Sequence, residues 1–171
     1  MNIHYSLMLL HYKILDVFIK PGDQLKQFGI KPGFTVIDYG CGPGRYLETA
    51  VSLVGKSGLV YAVDISEVAI KHVKGRINSG NFHNVIPVLL GPEENTIPID
   101  CADMVYALDM FHRVDDPVSF LKSIRRMIKR GCLLYLEDGH QSRETTLNKV
   151  KCSDLWAVQT QNAQYVVLKA L

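Results

Sequence analysis

Four classes of protein are excluded by what this 171-residue chain lacks. It has no paired cysteines: Cys41, Cys101, Cys132 and Cys152 include no C-x-x-C spacing. Neither a zinc site nor a redox dithiol is therefore signalled, and no metal site is expected. All four read as free thiols of a reducing compartment, which places the protein in the cytoplasm. It also lacks a surplus of either charge, with 19 basic residues against 17 acidic and a formal net charge of +2. A nucleic-acid partner, which usually demands a basic face, is not expected. No uninterrupted apolar run reaches the roughly 20 residues that span a bilayer. The richest stretch, residues 7–19, is broken by His11, Tyr12, Lys13 and Asp16 and lacks the basic start and cleavage site of a signal peptide. Internal repeats and low-complexity segments are absent too.

What is present suits one globular domain over residues 1–171. Apolar residues make up 47% and charged residues 21%, enough core and too little charge for a disordered chain. Leu7, Leu10, Ile14, Val17 and Phe18 recur at helical spacing, so residues 1–24 are expected to carry an amphipathic helix. Beyond it, strands and helices alternate. Strands are predicted over 35–39, 59–63, 85–90, 102–108 and 132–136, and helices over 45–54, 66–78, 116–129 and 142–150. Ser66 is placed to cap the second helix. Asp116 near the start of the third, with Lys129 and Arg130 at its end, matches the helix dipole. Two closing apolar runs, 155–158 and 165–168, flank a polar connection and read as a hairpin. Short apolar strands separated by helices predict an α/β fold, a doubly wound and mostly parallel sheet with a C-terminal antiparallel edge hairpin.

The strongest local signal is Val36-Ile37-Asp38-Tyr39-Gly40-Cys41-Gly42-Pro43-Gly44-Arg45-Tyr46, between the first strand and the first helix. Glycines at 40, 42 and 44 let the backbone turn where other residues resist and approach a ligand with no Cβ between. A dinucleotide site would need G-x-G-x-x-G, so that a helix N-terminus receives the pyrophosphate. That pattern requires glycine at position 45, where Arg45 stands. The second strand ends at Asp64, where a carboxylate can accept two hydroxyl hydrogen bonds at the switch point of the sheet.

Asp38 to Gly44 resembles motif I of the class I S-adenosylmethionine (SAM)-dependent methyltransferases. The stretch Val60-Tyr61-Ala62-Val63-Asp64-Ile65-Ser66 looks like the family's second motif, whose acidic residue binds both ribose hydroxyls. The resemblance continues through Ile97-Pro98, Asp103-Met104-Val105 and Phe111 to Pro117, covering roughly residues 25 to 138. It is nearest to the branch holding ubiquinone and menaquinone C-methylases and many small-molecule methylases. The resemblance implies a Rossmann-like fold, SAM as cofactor, and a cofactor site built from Asp38, Gly40, Cys41, Gly42, Gly44, Asp64, Ile65, Leu108 and Glu93. Glu93 enters because the family usually shows Gly-Asp after the third strand, its Asp contacting the adenine amino group. Here Gly91 is followed by Pro92, which leaves Glu93 or Glu94 for that contact.

Methyl transfer needs alignment of donor and acceptor and exclusion of water. An oxygen or nitrogen acceptor also needs its proton removed, a task that suits histidine. His112 and Asp109 after the fourth strand, and His140 after the fifth, are the catalytic candidates. Ala107-Leu108-Asp109-Met110-Phe111 lacks the Asn/Asp-Pro-Pro-Tyr of enzymes that methylate DNA bases or amide nitrogens. Cys132 and Cys152 do not make the cysteine set of the arsenic-methylating branch. The expected acceptor is a small molecule. Its pocket is shallow, or is completed by the N-terminal helix acting as a lid or by a second copy in a homodimer. The alternative is a non-catalytic SAM-binding regulatory module or subunit.

Overall fold

A computed structural model describes residues 21–91 and 96–171. The expected N-terminal helix and Glu93 lie outside the described residues. A single sheet of seven strands runs through the molecule: β1 (Thr35–Tyr39), β2 (Leu59–Asp64), β3 (Val85–Leu89), β4 (Ala102–Ala107), β5 (Ile128–Glu137), β6 (Trp156–Gln161) and β7 (Tyr165–Ala170). Their spatial order is β3-β2-β1-β4-β5-β7-β6. The first five are parallel, and β7 pairs antiparallel with both β5 and β6. The doubly wound sheet with its antiparallel C-terminal edge is thus the fold expected from the sequence. β7 lies inside β6, so the hairpin returns its second strand against β5.

Among the described residues four α-helices cover the sheet: α1 (Leu47–Val54), α2 (Glu67–Gly80), α3 (Pro117–Met127) and α4 (Arg143–Lys151). Alternation along the strands splits the core into two layers. Val36, Val60, Ala62 and Met104 face one side, where Leu47, Ala50 and Val54 of α1 and Ile70 and Val73 of α2 close over them. Ile37, Val63, Val105 and Leu134 face the other, beneath Phe120, Leu121 and Ile124 of α3 and Val150 of α4. A stacked aromatic pair, Phe28 and Tyr135 with ring centroids 4.0 Å apart, seals the first layer. The Tyr135 hydroxyl donates to the Phe28 carbonyl at 3.0 Å.

Three helices begin where local chemistry dictates. Ser66 Oγ accepts from Ala69 N at 3.3 Å, Asp116 from Ser119 N at 3.0 Å and Ser142 Oγ from Thr145 N at 3.1 Å, satisfying orphan amides of the first turns. Pro117 occupies the first turn of α3, where its missing N–H costs nothing. One boundary departs from expectation. The helix predicted over 116–129 stops at Met127, and β5 starts at Ile128 rather than 132. Ile128 is extended and pairs with Ala102, and Lys129 leaves the helix end to form an ion pair with Asp103. The basic residues in the last turn of α3 are Arg125 and Arg126 instead. Helix α1 begins at Leu47 rather than 45, which frees Arg45 and Tyr46 to line the cleft.

Parallel strands put all the C-terminal ends of β1, β2 and β4 on one edge. β1 has β2 on one side and β4 on the other, and the chain reverses its direction of travel across the sheet between them. Ligands of open α/β sheets bind at such a switch point. The frame depends on α3 packing, since Ile124 is fully buried. Ile124→Ala should destabilise the chain by about 2–5 kcal/mol in urea unfolding. Val118→Ala, on the solvent face of the same helix, should stay within about 0.5 kcal/mol.

Candidate active site

Strand β1 ends in a loop held by the edge of β2. Gly40 N and Cys41 N both donate to Val63 O, at 2.8 and 2.9 Å. Gly42 N donates to Asp64 Oδ2 at 2.8 Å, while Asp64 Oδ1 accepts from Ser66 N at 2.8 Å. A single carboxylate therefore ties the glycine loop to the start of α2. Ser66 caps that helix, as its position in the sequence predicts. Two glycines are dictated by geometry. Gly40 has φ +81°, and a Cβ there would sit 2.9 Å from Met110 Cγ. Gly42 has φ +52°, and a Cβ there would meet nothing within 4 Å, because it would project into open space.

That space is a cleft of about 500 Å³ at the C-terminal ends of β1, β2 and β4, within the usual range of ligand pockets. Of the residues expected at the cofactor, Gly40, Cys41, Gly42, Asp64, Ile65 and Leu108 line it. Ile65 is largely exposed there, an apolar side chain at the rim of the cleft. Gly44 lies behind the loop, packed toward Val73 and Arg76 of α2. Asp38 does not line the cleft. It is buried beneath the loop beside Tyr106, whose hydroxyl partly offsets the upward effect of burial on its carboxyl. Burial, then the negative charge of Asp64, pushes its carboxyl up to about 8. Asp38 therefore holds its proton at neutral pH.

The opposite wall is made of residues that sequence reasoning did not single out as site residues. Tyr46, Met110, Arg113 and Val114 line it. So does Asp109, the one catalytic candidate that reaches the cleft wall directly. Glu137, at the end of β5, is half-buried behind them; burial and then Asp109 raise its carboxyl above the usual range. Position was the available signal for Glu137, since the C-terminal end of a central parallel strand is where site residues collect. His112 and His140 flank Asp109. Asp109 Oδ1 lies 3.9 Å from both His112 Nδ1 and His140 Nε2. Burial lowers the His112 imidazole below its ordinary value, with Asp109 opposing the effect.

Comparisons with known proteins bear on the family and the fold. Residues 30–169 match a family model described as a methyltransferase domain. The chain is 29% identical over 137 residues to a ubiquinone biosynthesis O-methyltransferase of Nitrosomonas europaea, covering 78% of this chain and 51% of that protein. It is 31% identical over 110 residues to ribosomal RNA large subunit methyltransferase E of Alkalilimnicola ehrlichii, covering 62% and 49%. The chain thus spans about half the length of the curated relatives it matches. A solved SAM-dependent methyltransferase of Aquifex aeolicus shares the fold with a TM-score of 0.74 at 23% identity, covering 88% of each chain.

The buried Asp38 makes stability depend on pH in a definite direction. Its folded pKa is raised, so the folded state binds its proton more tightly than the unfolded state does. The resulting stabilisation is complete below the ordinary carboxylate pKa and declines as pH rises through about 8. Asp38→Asn should remove that decline. Melting temperatures measured across pH 5 to 9 should fall in the parent protein and stay flatter in the variant. Parallel profiles would show that Asp38 ionises freely when folded.

Proposed function

Since this chain belongs to the methyltransferase-domain family, we propose that it transfers a methyl group from SAM to a small-molecule acceptor. The observation that carries the reading is Asp64, fixed at the switch point by two backbone amides. A carboxylate has about four acceptor positions on its two oxygens. Two are filled by Gly42 N and Ser66 N, leaving two for the paired hydroxyls of a ribose. The same hydrogen bonds set the orientation of those remaining lone pairs before any ligand arrives.

The residues around the cleft fit the rest of the cofactor. Gly42 offers bare backbone facing open space. Ile65 and Leu108 supply apolar surface for a flat ring. Asp38, below the loop, gains ionised character when a ligand's cationic amine comes near. A pyrophosphate finds no such welcome: Arg45 stands where a dinucleotide loop needs its third glycine, and Asp64 faces the bend with negative charge. Bound SAM supplies an electrophilic methyl group, so the chain's own work is alignment, exclusion of water and handling of any acceptor proton.

For the acceptor, Tyr46, Met110, Val114 and Phe120 make a wall that is mostly apolar, with Asp109 and Arg113 as its polar points. That composition favours a small molecule with an apolar part and a polar reacting end. Asp109, His112 and His140 are the polar groups proposed to act at that end. The unpaired state of all four cysteines suits a cytoplasmic enzyme.

The decisive measurement is binding followed by turnover. Calorimetry should show SAM binding, and a thermal-shift titration should show stabilisation by SAM and none by NAD. Asp64→Ala should weaken SAM by about 1–3 kcal/mol, since a charged hydrogen-bond acceptor is lost. Asp64→Asn, which keeps one acceptor oxygen, should fall between. Unchanged affinity in both variants would refute the ribose assignment. Formation of S-adenosylhomocysteine with a panel of small acceptors is expected. Formation with RNA alone would replace the acceptor class, and SAM binding with no turnover on any acceptor would identify a regulatory module.

A further inference from the structure

Asp109, His112 and His140 are separated in sequence and carried by two loops, yet one ligand atom from each lies within 4.8 Å of the other two. Asp109 follows β4, His112 sits in the 3-10 turn Phe111–Arg113, and His140 lies in the loop between β5 and α4. We infer that these three side chains form a binding site for one divalent transition-metal ion at the acceptor end of the cleft. The inference rests on the methyltransferase reading for its chemistry and on the geometry alone for the site.

The distances distinguish a cation site from a proton relay. A carboxylate orienting a catalytic histidine lies within hydrogen-bond reach, about 2.6–3.2 Å. Asp109 Oδ1 is 3.9 Å from each imidazole nitrogen, too far for that bond. Nitrogen and oxygen atoms that each sit about 2.1 Å from one ion are separated from one another by roughly 3–4 Å. The two imidazole rings meet edge to face, 4.9 Å apart at 87°, which brings the second loop's histidine against the first. His112 Nδ1 is buried and has no hydrogen-bond partner among the described residues. A lone pair buried without a partner costs stability, and an ion would satisfy it. His140 is 81% exposed and can move the remaining distance.

The surroundings hold this arrangement in place. A Cβ at Gly139 would collide with His112 Nδ1, so only glycine lets the second loop lie over that ring and deliver His140. Helix α4 pins both loops. Arg143 makes a two-oxygen bridge to Asp138, with contacts between 2.6 and 3.0 Å, and Lys149 Nζ donates to Phe111 O and Val114 O at 3.2 and 2.9 Å. Two imidazoles and one carboxylate suit a borderline ion such as Zn²⁺ or Fe²⁺ better than Mg²⁺ or Ca²⁺. Three protein ligands leave at least one position open.

The open position assigns the acceptor class. Asp109 also lines the cleft, so an ion on it faces the methyl acceptor. A hydroxyl oxygen bound there loses its proton to solvent more readily, because the cation stabilises the anion. That oxygen then forms a bond to the methyl carbon as the carbon–sulfur bond breaks, its electron pair staying on sulfur. Protons and charge balance without any oxidant. The substrate class is therefore a hydroxyl-bearing small molecule, methylated on oxygen.

The test is titration of chelator-treated full-length protein with Zn²⁺ alone, followed by calorimetry, with Co²⁺ absorption reporting the ligand field. One equivalent should bind, and both His140→Ala and Asp109→Asn should weaken it by more than about 100-fold, since loss of outer-shell partners alone costs about 10–100-fold. His140 is exposed, so His140→Ala should keep the parent's melting temperature and SAM affinity. Absence of stoichiometric binding, or unchanged binding in the His112→Ala/His140→Ala double variant, would overturn the site. Zn²⁺ binding without SAM binding would sink the methyltransferase reading and leave the site standing; the reverse would sink the site alone. With acceptors, O-methylation should vanish after chelation and return with Zn²⁺. Methylation of hydroxyls at equal rates without metal would overturn the acceptor assignment.

Discussion

One hydrogen bond organises the cofactor side of this molecule: Gly42 N to Asp64 Oδ2, at 2.8 Å. It joins the bend after β1 to the end of β2. The carboxylate's other oxygen is held by Ser66 N at the entrance to α2. The bend after β1, the end of β2 and the start of α2 are thereby locked into one surface. The lock also explains the glycine: presenting this amide to Asp64 puts Gly42 at φ +52°, a conformation that glycine adopts without strain. Asp64 is therefore a support first, and the two amides that hold it fix the direction of its remaining lone pairs.

Beneath that surface lies an opposing charge problem. Asp38 and Asp64 both approach the same loop, one below it and one above. Two nearby carboxylates resist ionising together. The fold resolves this by burying Asp38 until it keeps its proton, while Asp64 faces the cleft. The loop can then carry an acidic residue at each end without repelling itself. A cationic ligand reverses the balance, since positive charge near the loop favours the ionised form below.

Strand periodicity and glycine placement made the cofactor half legible in the sequence. The apolar run 35–39, the glycines after it and Asp64 are local features, each read within a few residues of its neighbours. The boundary between α3 and β5 was not legible in the same way. Lys129 and Arg130 suit a helix end by the dipole argument, yet pairing of Ile128 with Ala102 and of Lys129 with Asp103 is worth more. Both partners lie over 20 residues away, so no local pattern announces them. The same holds for Tyr46 and Met110, whose place in the cleft depends on where α1 starts and how closely the loop after β4 meets Gly40. Asp109, His112 and His140 were each visible as polar residues after a strand. Their convergence was not, because it follows from β4 and β5 being neighbours and from Gly139 having no side chain.

This contrast reflects how the two halves of the cleft are built. The cofactor half uses backbone amides and bare α-carbons, groups every residue shares, placed by strand ends that the core holds rigid. Few substitutions can alter it without breaking the fold. The acceptor half uses side chains on the loops after β4 and β5, tied down by Lys149 and Arg143 from α4. A change there re-aims one group and leaves the sheet intact. Relatives named as a ubiquinone biosynthesis O-methyltransferase and as a ribosomal RNA methyltransferase both match this chain. On the proposed reading, what distinguishes acceptors is carried by Tyr46, Asp109, Met110, Arg113 and the histidines beside them, and not by the glycine loop.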